Sequence, residues 1–182
     1  MAIMDVVVLG NADGGPSLRL DHEEFAYAGK FVMTNTGKAL ARERGSVIGA
    51  AAFNRDRTDG TTGWVRYVTV RENRRGDGVG ADLLDHLAGA MLSGDGVTGE
   101  FSRVRIAVNN PFAYEAAYRA GFGYADERTG LAELVLERPT DRDAETYRRG
   151  IELFDERSDL TDEERRFVSS WRDADPQGTD WQ

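Results

Sequence analysis

Between Trp64 and Val70 apolar and polar side chains alternate with a period of two, as in a strand that covers one face. From Ala81 to Leu92 the period lengthens, and Leu84, Leu87, Ala88 and Met91 fall on one side of a helix. Alternation returns over Arg103–Val108, here arginine against apolar residues. Upstream, Asp5–Leu9 reads as a short apolar strand and Leu18–Leu20 as a second one. Ala39–Glu43 and Ser46–Phe53 read as a hairpin turning at Arg44-Gly45. Asp21–Gly37 is mixed: Phe25, Ala28, Phe31 and Val32 fit one helical face, while Gly29 and Gly37 interrupt it. Asn11–Pro16, Asn54–Gly63 and Ser93–Gly99 read as turns and loops. Pro111 suits the first turn of a helix running towards Gly121, and Ala132–Glu137 reads as a closing strand. The sum is an α/β (α+β) chain: antiparallel strands first, then strand–helix–strand–helix–strand.

After Pro139 the pattern changes. Tyr147, Ile151 and Phe154 follow at helical spacing within Asp141–Glu156. Thr161-Asp162-Glu163-Glu164 is a capping-box sequence, and Phe167, Val168 and Trp171 come behind it. Residues 1–138 are expected to form the main domain and 139–182 a helical extension. The extension would pack on that domain or on a second copy in a homodimer. Asp173–Gln182 is expected to fray.

Composition narrows the function classes. The chain has 182 residues and no cysteine, so disulfides, Cys-ligated metals and a Cys nucleophile are excluded. No apolar run is long enough for a membrane span, and the start lacks a signal-peptide pattern, so a cytoplasmic protein is expected. No spacing of His, Asp and Glu suggests a metal, and no nucleic-acid or membrane partner is expected. Asp plus Glu number 32 against 23 basic residues, of which only Lys30 and Lys38 are lysines. The acids are spread over the whole chain. That spread favours a halophilic surface, of the kind haloarchaeal proteins carry, over attraction of one basic partner.

Against that acidic background Arg66, Arg71, Arg74 and Arg75 stand close together in sequence. They flank Gly76-Asp77-Gly78-Val79-Gly80, which joins the strand to the helix. Glycines leave the backbone N–H groups uncovered, and the helix start adds free donors and the positive end of its dipole. Arg75 adds a fork of donors suited to phosphate oxygens. An anion, and a pyrophosphate in particular, fits there. A dinucleotide-binding turn is the competing reading. Its glycines are spaced G-x-G-x-x-G, however, and the next strand ends in Asn109-Asn110 rather than an acid that would hold a ribose. No lysine follows the glycines, which excludes a P-loop.

Arg75-x-x-Gly78-x-Gly80 behind Val68 and Val70 resembles the acyl-CoA-binding signature of the GNAT acyltransferase superfamily. Val108-Asn109-Asn110-Pro111-Phe112-Ala113, with Gly121-Phe122 after it, resembles that family's second motif. The resemblance spans roughly Ala39 to Glu137. It implies a mixed, mostly antiparallel sheet whose fourth and fifth strands splay apart, with helices at its flanks. It also implies acetyl-CoA as cosubstrate and an amine, small or peptidic, as acceptor. The pantetheine arm would lie on the backbone of Val68 and Val70, as an added strand does. The pyrophosphate would lie on Arg75, Gly76, Gly78, Val79 and Gly80, with Asn110 reaching in from the other side.

The catalytic groups are less marked. The family often places a tyrosine four residues before the Gly of Gly-Phe, to protonate the leaving thiolate. Here that residue is Ala117, and Tyr118 and Tyr114 on the same helix are the candidates instead. The strand Thr61–Val70 carries no carboxylate to act as base, and Tyr67 is its only titratable side chain besides arginine. Asp59, Glu115, Glu133 and His22 are outside candidates, and His86 reads as structural or exposed. Two other classes remain open: a non-catalytic acyl-CoA-binding module, and an interaction subunit acting through its C-terminal helices.

Overall fold

The computed structural model describes residues 3–94, 100–130 and 133–173. It divides into two compact units, Met1–Arg105 and Ile106–Gln182. Among the described residues seven strands follow the order β1-β2-β3-β4-β5-β7-β6 along the sheet.

In the first unit β1 (Met4–Leu9), β2 (Gly37–Glu43), β3 (Ser46–Arg55) and β4 (Thr62–Val70) pair in antiparallel succession. The β2–β3 turn is the one expected: Arg44 and Gly45 both take positive φ, 52° and 79°, which matches the twist of a tight hairpin. β5 (Arg103–Val108) starts beside β4, where the Ser102 N–H donates to the Thr61 carbonyl at 2.9 Å. Small residues on one face of β3, Gly49 and Ala51, let helix α1 (Val79–Ser93) lie close. A Cβ on Gly49 would meet Val79 Cγ1 at 3.1 Å. α1 buries Val79 and Leu83 as well as the expected Leu84, Leu87, Ala88 and Met91, so it begins one turn earlier in the packing than the sequence pattern suggests.

The opposite face of the sheet carries Leu40, Ala50 and Ala52, covered by Phe31 with Leu9, Leu18, Leu20, Val47 and Tyr67 around them. The cover is irregular. Leu18–Leu20 is not a strand; Leu18 makes one backbone bond, to the Phe31 carbonyl at 2.9 Å. Of the mixed segment 21–37 only Ala28–Val32 is helical, as a short 3-10 helix. Phe25, Ala28 and Phe31 are buried and Val32 is exposed. Lys38 is wholly buried at the start of β2. Its Nζ donates to the carbonyls of Met33 and Thr36 at 2.6 and 2.7 Å, pinning the chain as it enters the sheet. Burial pushes its pKa down.

The second unit holds α2 (Pro111–Arg119), the antiparallel pair β6 (Gly123–Thr129) and β7 (Glu133–Arg138), then α3 (Ala144–Asp155) and α4 (Asp162–Asp173). β6 has no counterpart in the sequence reading. A register shift between Tyr124 and Glu127, with Asp126 at φ 53°, breaks the alternation that would have revealed it. α3 buries Tyr147, Ile151 and Phe154 as expected. It also buries Gly150, where any Cβ would collide with the Tyr114 ring. The capping box forms on both sides: Thr161 N–H donates to Glu164 at 2.8 Å and Glu164 N–H to Thr161 Oγ1 at 3.1 Å. The loop expected at Ser93–Gly99 is described only to Gly94, and of the expected frayed end only Asp173 lies within the described residues. Among the described residues no helix is long and apolar enough to cross a membrane.

Candidate functional site

The turn between β4 and α1 is built by its backbone. After β4, Glu72–Arg74 makes one 3-10 turn; Arg75 is extended, and Gly76 and Gly78 take φ of 87° and 84°. Side chains rarely adopt that conformation, and a Cβ at either glycine would point into open space, with no atom within 4 Å. Gly78 is the residue before the first helical turn, and no side chain caps that end. The amides of Val79 and Gly80 thus start the helix with an open approach, the condition for binding an anion. At Gly80 a Cβ would sit 3.4 Å from Val70 Cγ2, an ordinary packing distance, so the helix start lies against the end of β4.

The four arginines near this turn do not act as one patch. Arg66 donates to Asn54 at 2.7 Å and lies over the Trp64 ring. Arg71 lies over Phe25 and approaches Glu24 at 3.8 Å. Arg74 forks onto Glu43 at 3.1 and 3.0 Å and reaches Asp77 at 2.9 Å. Arg74 thereby pairs with Glu43 and Asp77, two carboxylates that would otherwise repel a phosphate at the turn. Its hydrogen bond holds the Glu43 carboxyl below its ordinary pKa. Arg75 is exposed and has no ion pair among the described residues. An open helix start, an unpaired guanidinium and neutralised neighbouring acids fit a pyrophosphate.

Val68 and Val70 present their peptide groups to one edge of β4. Arg71 N–H donates to the Ile48 carbonyl of β3 at 2.9 Å, and Ala50 stands opposite Thr69. Backbone groups alternate between the two edges of a strand, so those of Val68 and Val70 point away from β3.

In the second unit Asn110 caps α2. Its Oδ1 accepts from Ala113 N–H at 2.9 Å and its Nδ2 donates to Asn109 at 3.3 Å. Tyr114 and Tyr118 lie within the packed interior, both at 0% exposure, with ring centroids 5.0 Å apart. The Tyr114 hydroxyl donates to the Tyr147 carbonyl at 3.0 Å. The Tyr118 oxygen accepts from Tyr124 N–H at 2.9 Å. Burial pushes the pKa of both phenols up; at Tyr118 the Tyr124 N–H pulls the other way. Ala117 is buried between them in sequence. At the end of the same helix Arg138 donates to the Ala120 carbonyl and Arg142 to the Tyr118 carbonyl, as cations at a helix C-terminus do.

The outside candidates are spread out. Asp59 accepts from Thr61 N–H, Thr61 Oγ1 and Thr62 Oγ1 at 3.0, 2.7 and 2.8 Å. Those bonds, the Thr61 hydroxyl's first, bring its pKa down to about 2. Glu115 pairs with Arg119 at 2.7 Å, and Glu133 is half-buried at the start of β7. His22 is exposed, and His86 Nδ1 lies 3.0 Å from the Asp82 carbonyl on the exposed side of α1. Among the described residues no group of His, Asp and Glu could hold a metal. Sequence reasoning missed the pairing of Arg74 with Glu43, 31 positions apart, and the polar groups of Thr69 and Arg71. Charge complementarity alone gives no signal for which acid an arginine meets.

The sequence pattern of the Acetyltransferase (GNAT) family matches residues 12–123, more than half of the chain. No curated protein matches it. Among solved structures, an IAA acetyltransferase from Bacillus cereus aligns with a TM-score of 0.50 at 17% identity, over 73% of this chain and 98% of that one. An acetyltransferase from Thermus thermophilus aligns with a TM-score of 0.47 at 20% identity, over 58% of this chain and 64% of that one. A PaiA N-acetyltransferase from Thermoplasma acidophilum, solved in complex with coenzyme A, aligns at 0.43 and 14% identity, over 63% and 60%. The chain thus spans less than two thirds of the length of the latter two proteins. These likenesses concern the fold. The match over residues 12–123 takes in β2 to α2 and the glycine turn, and by it the chain belongs to the Acetyltransferase (GNAT) family.

Proposed function

We propose that the protein is an acetyl-CoA-dependent N-acetyltransferase that passes the acetyl group directly to an amine in a ternary complex. The observation that carries this reading is the open turn at Gly76–Gly80, with Arg75 beside it exposed and without an ion pair among the described residues. Acetyl-CoA would supply a thioester whose carbon–sulfur bond breaks as a carbon–nitrogen bond forms to the amine, the sulfur leaving as the thiol. Gly76, Gly78, Val79, Gly80 and Arg75 hold the pyrophosphate. The outward peptide groups of Val68 and Val70 would hold the amides of the pantetheine arm, and Asn110 is the further residue assigned to the donor. Tyr118, with Tyr114 as the second choice, donates the proton to the departing sulfur. Burial raises the pKa of both phenols, so each is protonated at neutral pH but is a weaker acid than an exposed tyrosine.

A second reading has its own support. Ala117 stands where the family often has a tyrosine, and both neighbouring tyrosines are buried and hydrogen-bonded. On that reading the protein binds acyl-CoA without turning it over. Thiol release from acetyl-CoA against a panel of amines, run in molar KCl, separates the two. Release that depends on an amine supports the enzyme, and tight CoA binding without release supports the module. The high-salt condition follows from a further proposal, that the lysine-poor acidic surface is halophilic. Helices α3 and α4 pack on α2 within their own unit, through pairs such as Phe112–Phe167 at 4.9 Å. We take residues 139–182 to be a packed extension. A homodimer remains the alternative role, tested by sedimentation of a chain truncated after residue 138.

A further inference from the structure

The face of β4 opposite α1 carries Tyr67 and Thr69, and Arg71, the residue after the strand, continues the alternation on the same face. Two of these three hold a buried polar atom with no partner among the described residues. Thr69 is 4% exposed, and its Oγ1 has no hydrogen bond. Arg71 is about a quarter exposed, its Nε buried and without an acceptor; its terminal nitrogen only approaches Glu24, at 3.8 Å. A buried hydroxyl and a buried guanidinium N–H left unsatisfied each cost free energy, and native structures rarely keep two side by side without a use. The ladder to β3 stays regular from Tyr67 through Val70 and continues in the Arg71–Ile48 bond, so these side chains share one face. Successive residues on that face are about 6.6 Å apart. One small planar anion could meet the Thr69 hydroxyl and the Arg71 Nε together.

The walls of this face agree. Phe25 lies beneath the Arg71 guanidinium at 5.5 Å, and Lys30 Nζ stands 5.7 Å from the centre of the Tyr67 ring. Lys30 is one of only two lysines in a chain of net charge −9, and it has no ion pair among the described residues. Two cations over two aromatic rings, on a protein otherwise acidic, make a local field for an anion. Glu24, which is half-exposed, approaches Arg71 at 3.8 Å.

Resting on the N-acetyltransferase reading, we propose that the acceptor is an amine that also carries a carboxylate, such as an amino acid or a small peptide. Thr69 Oγ1 and Arg71 Nε bind the carboxylate, Lys30 strengthens the field, and Glu24 is displaced from Arg71 or turns to the ammonium group. The same strand offers Val68 and Val70 on its edge to the acyl donor, so donor and acceptor are held by neighbouring residues of β4.

The test measures thiol release from acetyl-CoA with alanine, β-alanine and alanylalanine against alaninamide and spermidine, and, in parallel, calorimetric binding of each amine to the CoA-bound protein. Carboxylated amines should show KM or Kd values at least 10-fold below those of alaninamide and spermidine. Arg71→Gln and Thr69→Val should each raise the value for carboxylated amines, roughly 10- to 100-fold for Arg71→Gln, and leave alaninamide unchanged. Thr69→Val keeps shape and fold should Arg71→Gln not fold. Equal affinity for alanine and alaninamide, or equal loss for both in the variants, overturns the proposal. If CoA binds and no amine is turned over, the binding arm still decides it, while the N-acetyltransferase reading falls separately.

Discussion

The start of α1 and the interior of the second unit are both built around a helix next to a sheet, and they are finished in opposite ways. At Gly76–Gly80 backbone does the work: positive φ at two glycines, no side-chain cap, open space above, and arginine taking the nearby acids out of play. In the second unit side chains close the space. Tyr114, Tyr118, Tyr147 and Phe154 stack within 4.8 to 5.7 Å of their neighbours, and the Tyr114 and Tyr118 hydroxyls are bound to backbone groups. Backbone donors left open at a helix start are ready for a ligand. A phenol packed in an interior must serve stability and chemistry at once. The difference explains why the binding loop reads clearly and the proton donor does not.

The largest expected effect falls on that second region. If Tyr118 is the donor, Tyr118→Phe lowers turnover by ~10²–10⁴-fold while CoA affinity stays at the wild-type value. It also strands the buried Tyr124 N–H, a cost of about 1–3 kcal/mol, so the folded fraction must be measured alongside. Wild-type turnover in the Tyr114→Phe, Tyr118→Phe double variant would assign the tyrosines to packing alone.

Gly150→Ala sharpens the same contrast through stability. Its new methyl has no room against the Tyr114 ring, and overpacking of this kind costs about 1–3 kcal/mol. A melting temperature equal to wild type would mean that α3 can shift and that the tyrosine interior is looser than described. CoA affinity should not change.

Much of this contrast was legible beforehand. The glycine turn, the β2–β3 hairpin and the Thr161–Glu164 capping box are local devices, each specified within a few residues, and each formed as read. What was hidden depends on distant partners. Nothing in the sequence marks Lys38 for burial, yet it is wholly buried and donates to two carbonyls five and two positions earlier. Arg66, Arg71, Arg74 and Arg75 read as one basic patch, whereas three of them are drawn to Asn54, Glu24 and Glu43. β6 was hidden because its bulge spoils the period on which a strand is recognised.

Smaller effects probe the first unit. Arg74→Ala frees Asp77 and Glu43 beside the turn, and CoA affinity should fall about 10-fold, with the loss shrinking as salt is added. The loop before β4 should respond to acid. The Asp59 pKa is lowered from 3.8 to about 2, so its contribution to stability is present above pH 3.8 and is lost as pH falls through 2. Asp56 is held low by the Thr58 N–H and by Trp64, and acts in the same direction. Asp59→Asn should flatten the acid limb of the melting profile. Melts from dilute buffer to molar KCl should rise if the acid-rich surface is adapted to salt, and a flat profile would return attention to a basic partner.

The central claim is that the open helix start at Gly76–Gly80 binds the pyrophosphate of CoA. Isothermal titration of CoA into the wild type and into Gly78→Glu tests it most directly. The wild type should bind, and the folded variant should bind at least 100-fold more weakly, since its carboxylate would point into the space where the phosphates lie. Equal affinity in a folded Gly78→Glu variant would contradict the assignment.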